Sequence, residues 1–326
     1  MIAWNKILTG LSMNIPMVEL KYLLKQSCSK ETSDTPDKWT PENPLFGHCA
    51  VIAAIVSEIN GGKIKRSLFP KEWAEKLGSR SHYWNELSVY SADGVEADLS
   101  KEQFPADFPY RGFIDGKVGE MSEDKNWRDY ILSFPNTLAR YSALCDKFNE
   151  VLHSNPLFTD EKFQKCWELA FSGQTNCPKM KFACLVYNSG TFVTQSTNKN
   201  FCAKFGKERL CSFDGSTCVR IGMPSRTDAT LGDCGHAPIW CIKQVFDLGA
   251  KPADLSHADF YEAGFLPDGS PWWRTEPSYT CTYCQNMFAI FGLDKIYGAF
   301  DGKWQPLWTK DSLYSSTEYA KGMKKV

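Results

Sequence analysis

The sequence predicts an α/β protein in two parts, α+β in its N-terminal half and regularly alternating in its C-terminal half. Three patterns carry this expectation. The apolar run Cys49-Ala-Val-Ile-Ala-Ala-Ile-Val-Ser-Glu-Ile-Asn stops at Gly61-Gly62, as a buried helix closed by glycine does. Three short stretches, Lys63-Ile-Lys-Arg-Ser-Leu, His82-Tyr-Trp-Asn-Glu-Leu and Val95-Glu-Ala-Asp98-Leu, are separated by turn residues and suit an antiparallel sheet. From residue 157 onward, helix-like and strand-like segments alternate, the pattern of a layered α/β domain.

The elements follow in order along 326 residues, a length that gives two domains room for a core each. Within residues 1–30, Val18-Glu-Leu-Lys-Tyr-Leu-Leu-Lys has the spacing of a half-buried leading helix, and the polar stretch from Thr32 to Lys38 ends it. Residues 106–142 carry no strong periodicity. The segment 116–156 therefore reads as a helical linker between domains at 1–115 and 157–326. The second domain opens with the helical Asp160-Glu-Lys-Phe-Gln-Lys-Cys-Trp-Glu-Leu-Ala-Phe. A hairpin follows, Phe182-Ala-Cys-Leu-Val-Tyr and Thr191-Phe-Val-Thr-Gln-Ser around Asn188-Ser-Gly190. A helix at His236, a strand, a helix at Cys281 and the strand Lys295-Ile-Tyr complete the alternation.

A formal net charge of -1 provides no global basic field of the kind that advertises a nucleic-acid binder. No run approaches the about 20 apolar residues of a membrane helix, so a membrane partner is not expected. The N-terminus Met1-Ile-Ala-Trp-Asn-Lys lacks a secretory pattern, which places the chain in the cytoplasm and makes its 13 cysteines thiols or metal ligands rather than disulfides.

Two sets of residues carry chemistry. Cys49 stands at a helix N-terminus, where unpaired N–H groups and the helix dipole favour a thiolate. His82 and Asp98 follow in the order of a base and the carboxylate that orients it. A buried thiol and a structural histidine explain the same residues without chemistry.

Thr35-Pro-Asp-Lys-Trp39, Asn43-Pro-Leu-Phe-Gly-His-Cys49-Ala-Val, Ser81-His82-Tyr-Trp-Asn85 and Glu96-Ala-Asp98-Leu-Ser-Lys-Glu-Gln-Phe104-Pro resemble the YunG-like family of small bacterial proteins, over roughly residues 10–110. The resemblance implies a papain-like or transglutaminase-like fold with Cys49 as nucleophile, His82 as base and Asp98 as orienter. His48 stands where that family usually has glutamine, so an imidazole N–H would have to replace the amide as oxyanion donor.

In the second half, Lys165-Cys-Trp-Glu-Leu-Ala170, Thr197-Asn198, His236-Ala237-Pro238-Ile-Trp-Cys241 and Pro277-Ser-Tyr-Thr-Cys281-Thr-Tyr-Cys284 with Gly292-Leu-Asp-Lys-Ile-Tyr-Gly298 resemble the cytidine and tRNA-adenosine deaminase superfamily. That resemblance implies a three-layer α/β/α domain and a Zn2+ ion held by His236, Cys281 and Cys284. It also implies Asn198 as a substrate-binding residue, and a nucleoside, nucleotide or single-stranded nucleic acid as ligand.

Three departures matter. Pro238 occupies the place of the acid/base glutamate and carries no proton. Pro277 is displaced from its usual place before the first cysteine. Cys234 is close enough in sequence to close the metal's open position, while Asp228 and Asp233 are displaced carboxylates. Cys202, Cys211 and Cys218 have no recognisable metal spacing, and Trp272-Trp273-Arg274 suits either base stacking or loop packing. The readings left open are zinc-dependent deamination, a non-catalytic zinc-binding recognition module, and thiol hydrolysis or acyl transfer at Cys49.

Overall fold

The computed structural model describes residues 15–87, 95–173, 175, 177, 180–200, 234–273 and 282–309. The chain divides into two compact units, residues 1–154 and 155–326. Each is mixed α/β. No described helix is long and apolar enough to cross a membrane.

The first unit is built round α2 (Cys49–Asn60), whose Val51 to Val56 are all buried. The helix packs against an antiparallel sheet of order β3-β2-β1-β4, formed by β1 (Lys63–Leu68), β2 (Ser81–Leu87), β3 (Val95–Ala97) and β4 (Glu120–Met121). Asn85 ties strand to helix by donating from Nδ2 to the Ala53 carbonyl at 3.0 Å. The turn from α2 into β1 requires glycine at position 62: φ is +86°, and a Cβ there would meet the Glu86 carbonyl oxygen at 2.5 Å. The register pairs Ser67 with His82 and Asn85 with Ala97, so β2 carries His82 and the end of β3 delivers Asp98.

Helices α1 (Met17–Ser27), α3 (Lys71–Leu77), α4 (Tyr110–Ile114), α5 (Trp127–Leu132) and α6 (Pro135–Ser154) complete the unit. Residues 116–154 belong to the first unit rather than to a separate linker. Tyr141, Leu144, Cys145 and Phe148 of α6 are buried, and β4 pairs with β1. Glu58 of α2 accepts from Arg128 Nη2 at 2.9 Å and from the Tyr141 hydroxyl. The sequence hid this because α6 alternates its apolar residues with Arg, Asp, Lys and Asn, and only the packed face reveals the period.

The second unit runs from α7 (Glu161–Phe171) through the hairpin β5 (Lys181–Asn188) and β6 (Thr191–Thr197). The short pair β7 (Lys199–Asn200) and β8 (Cys234–Gly235) precedes α8 (Ala237–Asp247), α9 (Pro252–Leu255), β9 (Ala258–Phe265) and β10 (Pro271–Trp272). Then come α10 (Thr282–Ile290), β11 (Lys295–Phe300) and β12 (Lys303–Trp308). The main sheet has the order β12-β11-β9-β5-β6, parallel only between β9 and β11, with β10 added to β9.

Strand alternation separates two faces. Cys184, Val186, Phe260 and Ile296 bury one face against Ala237, Cys241 and Phe288 of α8 and α10. The other face receives α7, with Trp167 against Phe265 at 5.0 Å and Phe163 against Trp304 at 6.2 Å. Helices therefore cover both faces of this sheet.

Candidate active site

Cys49 is the first residue of α2 and is partly exposed. Its loop is shaped by Gly47, whose φ is +77° and whose missing Cβ leaves room for the Ser33 and Thr35 hydroxyls. His48 caps the helix with its backbone only. Its ring is buried, with Nδ1 2.9 Å from the Phe46 carbonyl oxygen and Nε2 2.8 Å from Thr32 Oγ1. Burial pushes its pKa down to about 4, so the neutral ring donates from Nδ1 and accepts at Nε2. Both nitrogens are used, and His48 is a loop brace rather than the substitute oxyanion donor that the sequence allowed.

His82 and Asp98 meet in the unit's interior, with side chains 0% and 2% exposed and a 2.6 Å bond from Nε2 to Oδ2. The Cys49 sulfur acts on the ring from the inner recess that both residues line, and Nδ1, on the side away from Asp98, has Gln103 Nε2 at 3.3 Å. Trp84 stacks on the imidazole at 5.8 Å and Phe104 meets it edge-on at 4.8 Å, fixing the ring plane.

Asp98 is held in turn by Tyr110, which donates at 2.7 Å, and by Ser100, which donates its backbone N–H at 3.0 Å and its hydroxyl at 2.9 Å. Burial alone would raise the Asp98 carboxyl, but the His82 charge and these donors hold it below the usual range. Burial opposes protonation of His82 as well. The Asp98 charge and hydrogen bond outweigh it, and with the Cys49 sulfur nearby the imidazole is pushed up to about 10.

These shifts fix a stability profile. His82 binds its proton more tightly folded than unfolded, so its contribution is complete below its unfolded pKa of about 6.5 and is lost as pH rises through about 10. The Asp98 contribution is complete above its unfolded pKa of about 4 and is lost in stronger acid. The unfolding midpoint of the full chain should fall between about pH 7 and 10, and His82→Ala should flatten that fall. Parallel profiles for the two proteins would mean that the imidazole holds no such proton.

Cys49 lies at the junction of two spaces. An outer cleft of ≈ 730 Å³ is lined by Lys71, Glu75, Arg80, Tyr83 and Phe134, with the Asp34–Arg140 ion pair of 2.8 Å beside it. An inner recess of ≈ 20 Å³, room for about one water, is lined by Cys49, His82, Gln103, Thr35 and Phe104. Sequence reasoning missed Ser100, Gln103 and Tyr110. Ser100 and Gln103 lie in the motif around Asp98, and their separation of two and five residues from that carboxylate was the available signal.

A family model described as YunG protein matches residues 16–144. The protein described as uncharacterized protein YunG from Bacillus subtilis (strain 168) is 35% identical over 114 residues, covering 35% of this chain and 84% of that protein. The chain belongs to the YunG family. No solved structure matches it. The YunG match extends well past residue 115 into α6, in step with the packing of α5 and α6 described above. Cys49, His82 and Asp98 all fall inside it.

Outside the YunG unit, the sequence-derived residues fare differently. His236 is the N-cap of α8, with Nδ1 3.2 Å from Cys284 Sγ on α10. Pro238 is buried in the first turn of α8. Cys281, Pro277, Asp228, Asp233, Cys202, Cys211, Cys218 and Arg274 lie outside the described residues, as does the Cys234 side chain.

Asn198 is spent locally. Its Oδ1 accepts from the Phe182 N–H at 2.9 Å and the Thr175 hydroxyl at 3.1 Å, and Nδ2 donates to the Met180 carbonyl at 3.0 Å. These bonds latch the start of β5 to the hairpin. Trp273 stacks on Phe163 at 5.4 Å and Trp272 packs edge-on against Phe182 at 5.7 Å, so both rings serve packing.

Proposed function

We propose that the YunG unit is a thiol hydrolase or acyl transferase in which Cys49 is the nucleophile, His82 the proton carrier and Asp98 the residue that orients it. One observation carries the reading: Cys49 and His82 line one recess, the imidazole is bonded to a buried Asp98, and the sulfur opens on a cleft. A buried thiol under a helix needs neither the cleft nor the carboxylate.

The chemistry follows from the ring's two sides. Asp98 accepts at Nε2, and Nδ1 holds the proton that Cys49 gives up to become the thiolate. The sulfur attacks an acyl carbonyl carbon, the C–S bond forms, and the carbonyl π pair moves onto oxygen. Collapse restores the C=O bond and expels an amine, alcohol or thiol, which leaves with the proton from Nδ1. Water, or a second nucleophile in a transfer, then gives its proton to Nδ1 and attacks the thioester. Expulsion of the sulfur, reprotonated from Nδ1, returns the thiol.

Site-resolved alkylation by iodoacetamide at neutral pH tests this. Cys49 should react well ahead of Cys177, the other partly exposed thiol among the described residues. Slow labelling at equal rates would remove the reading.

For the second unit we infer zinc binding without efficient deamination. The supporting observation is the His236–Cys284 approach of 3.2 Å. Two donors of a tetrahedral zinc site lie about 3.6 Å apart given the usual Zn–N and Zn–S lengths, so these two fit a shared ion after a shift of a few tenths of an ångström. Cys281 would be the third ligand, by resemblance. Such an ion would lower the pKa of a bound water, but Pro238 offers no group to move its proton. Recognition of a nucleoside, nucleotide or single strand, without turnover, is the role this leaves. Zinc content should be stoichiometric in the full chain and fall in His236→Ala and in Cys284→Ser. Unchanged zinc in both variants, or none in the parent, would overturn this reading.

A further inference from the structure

We propose that Gln103 is the side-chain donor that stabilises the oxyanion at the Cys49 site. The inference rests on the acyl-transfer reading above and adds a catalytic residue to it.

Acyl transfer at a thiolate places a negative charge on the former carbonyl oxygen, and a preorganised neutral donor is the usual means of holding it. His48, beside the nucleophile, cannot serve, because both of its nitrogens are bonded. Gln103 can. It is 7% exposed and lines the same one-oxygen recess as Cys49 and His82. Its position is set by the backbone, since its N–H donates to the Ser100 carbonyl at 3.0 Å and its own carbonyl accepts from Asn43 Nδ2 at 3.4 Å. The short helical turn Lys101–Gln103 thus carries it from the same loop that fixes Asp98.

The amide's present partner makes the argument specific. Gln103 Nε2 stands 3.3 Å from His82 Nδ1, the ring nitrogen opposite Asp98. With Asp98 holding His82 in its protonated form, Nδ1 is itself a donor and offers the amide no acceptor. The oxyanion forms beside it, inside a recess with room for one oxygen. The amide hydrogens turned toward the imidazolium therefore gain an acceptor in the transition state that they lack in the ground state, the difference that accelerates a step. The backbone N–H groups at the start of α2, which no side chain caps, supply the second donor.

Two electrophiles separate this role from thiolate formation. Acylation by 4-nitrophenyl acetate passes through an oxyanion, whereas alkylation by iodoacetamide displaces iodide and forms none. In the full chain, Gln103→Leu, which keeps the volume, and Gln103→Ala should each slow acylation of Cys49 by about 10²-fold or more. Alkylation rates and their pH profile should stay within about threefold of the parent, which also certifies that both variants are folded around an intact Cys49–His82 pair.

A parallel fall in both reactions would make Gln103 a support for His82 and overturn the proposal, as would no fall in either. If the parent protein is alkylated quickly at Cys49 but never acylated, the Gln103 assignment fails while the thiol reading stands. An inert Cys49 in the parent removes both.

Discussion

Cys49→Ala is expected to abolish hydrolysis of an activated ester at the YunG site, and His82→Ala to slow it by about 10²- to 10⁴-fold, the usual worth of a positioned acid/base group. The second effect arises because His82 acts in both halves of each turnover, moving a proton from sulfur to the leaving group and then from water back to sulfur. Its ring is held on three sides, by Trp84, Phe104 and Asp98. No other imidazole can take its place: His48 is bonded at both nitrogens, and the remaining described histidines lie in other elements. Initial rates with 4-nitrophenyl acetate, taken well below each variant's unfolding midpoint, measure the effect. Hydrolysis that survives Cys49→Ala would locate the chemistry elsewhere.

Asp98→Ala should lower the unfolding free energy of the first unit by about 3–5 kcal/mol, the cost of breaking one partner out of a buried ion pair. Four donor hydrogens converge on this carboxylate, from His82, Tyr110 and Ser100, and alanine would leave all of them buried without an acceptor. Asp98→Asn is the milder structural change and the more telling chemical one. An amide keeps the volume but lacks the charge that holds the His82 proton, and its NH2 would turn the ring to the wrong tautomer. Turnover should then drop on the order of 10⁴-fold with a far smaller loss of stability than in Asp98→Ala. Denaturant unfolding and ester hydrolysis on the two variants separate these outcomes. A stable, fully active Asp98→Asn protein would rule out an orienting role for the carboxylate.

The parts of the fold that were legible in the sequence are those where local pattern and tertiary role agree. The unbroken apolar run of α2, the glycine stop at residues 61–62 and the three strands carrying His82 and Asp98 all lie where their spacing places them. The second half's helix, hairpin and later helix–strand units were legible for the same reason. Helix α6 was not, because its stability comes from one face packed on α1 and α2 through residues far away in sequence, such as Tyr141 with Glu58. Side-chain partnership was legible least of all. The sequence can place a glutamine near an aspartate in number, but whether Gln103 turns toward His82, or Asn198 toward a loop carbonyl, depends on register and turn geometry that no spacing encodes.

The loop bearing Cys49 is held from both ends of its unit. Thr32 grips the His48 ring from 16 residues before it, and Arg140, bonded to Asp34 and to the Gly47 carbonyl, holds it from 93 residues after it. Each of these long closures costs chain entropy that only the completed unit recovers. The setting of the nucleophile is therefore complete only when the unit is complete. Fast modification of Cys49 should thus appear in step with cooperative folding of residues as far along as α6, making one thiol a clock for the folding of the whole unit.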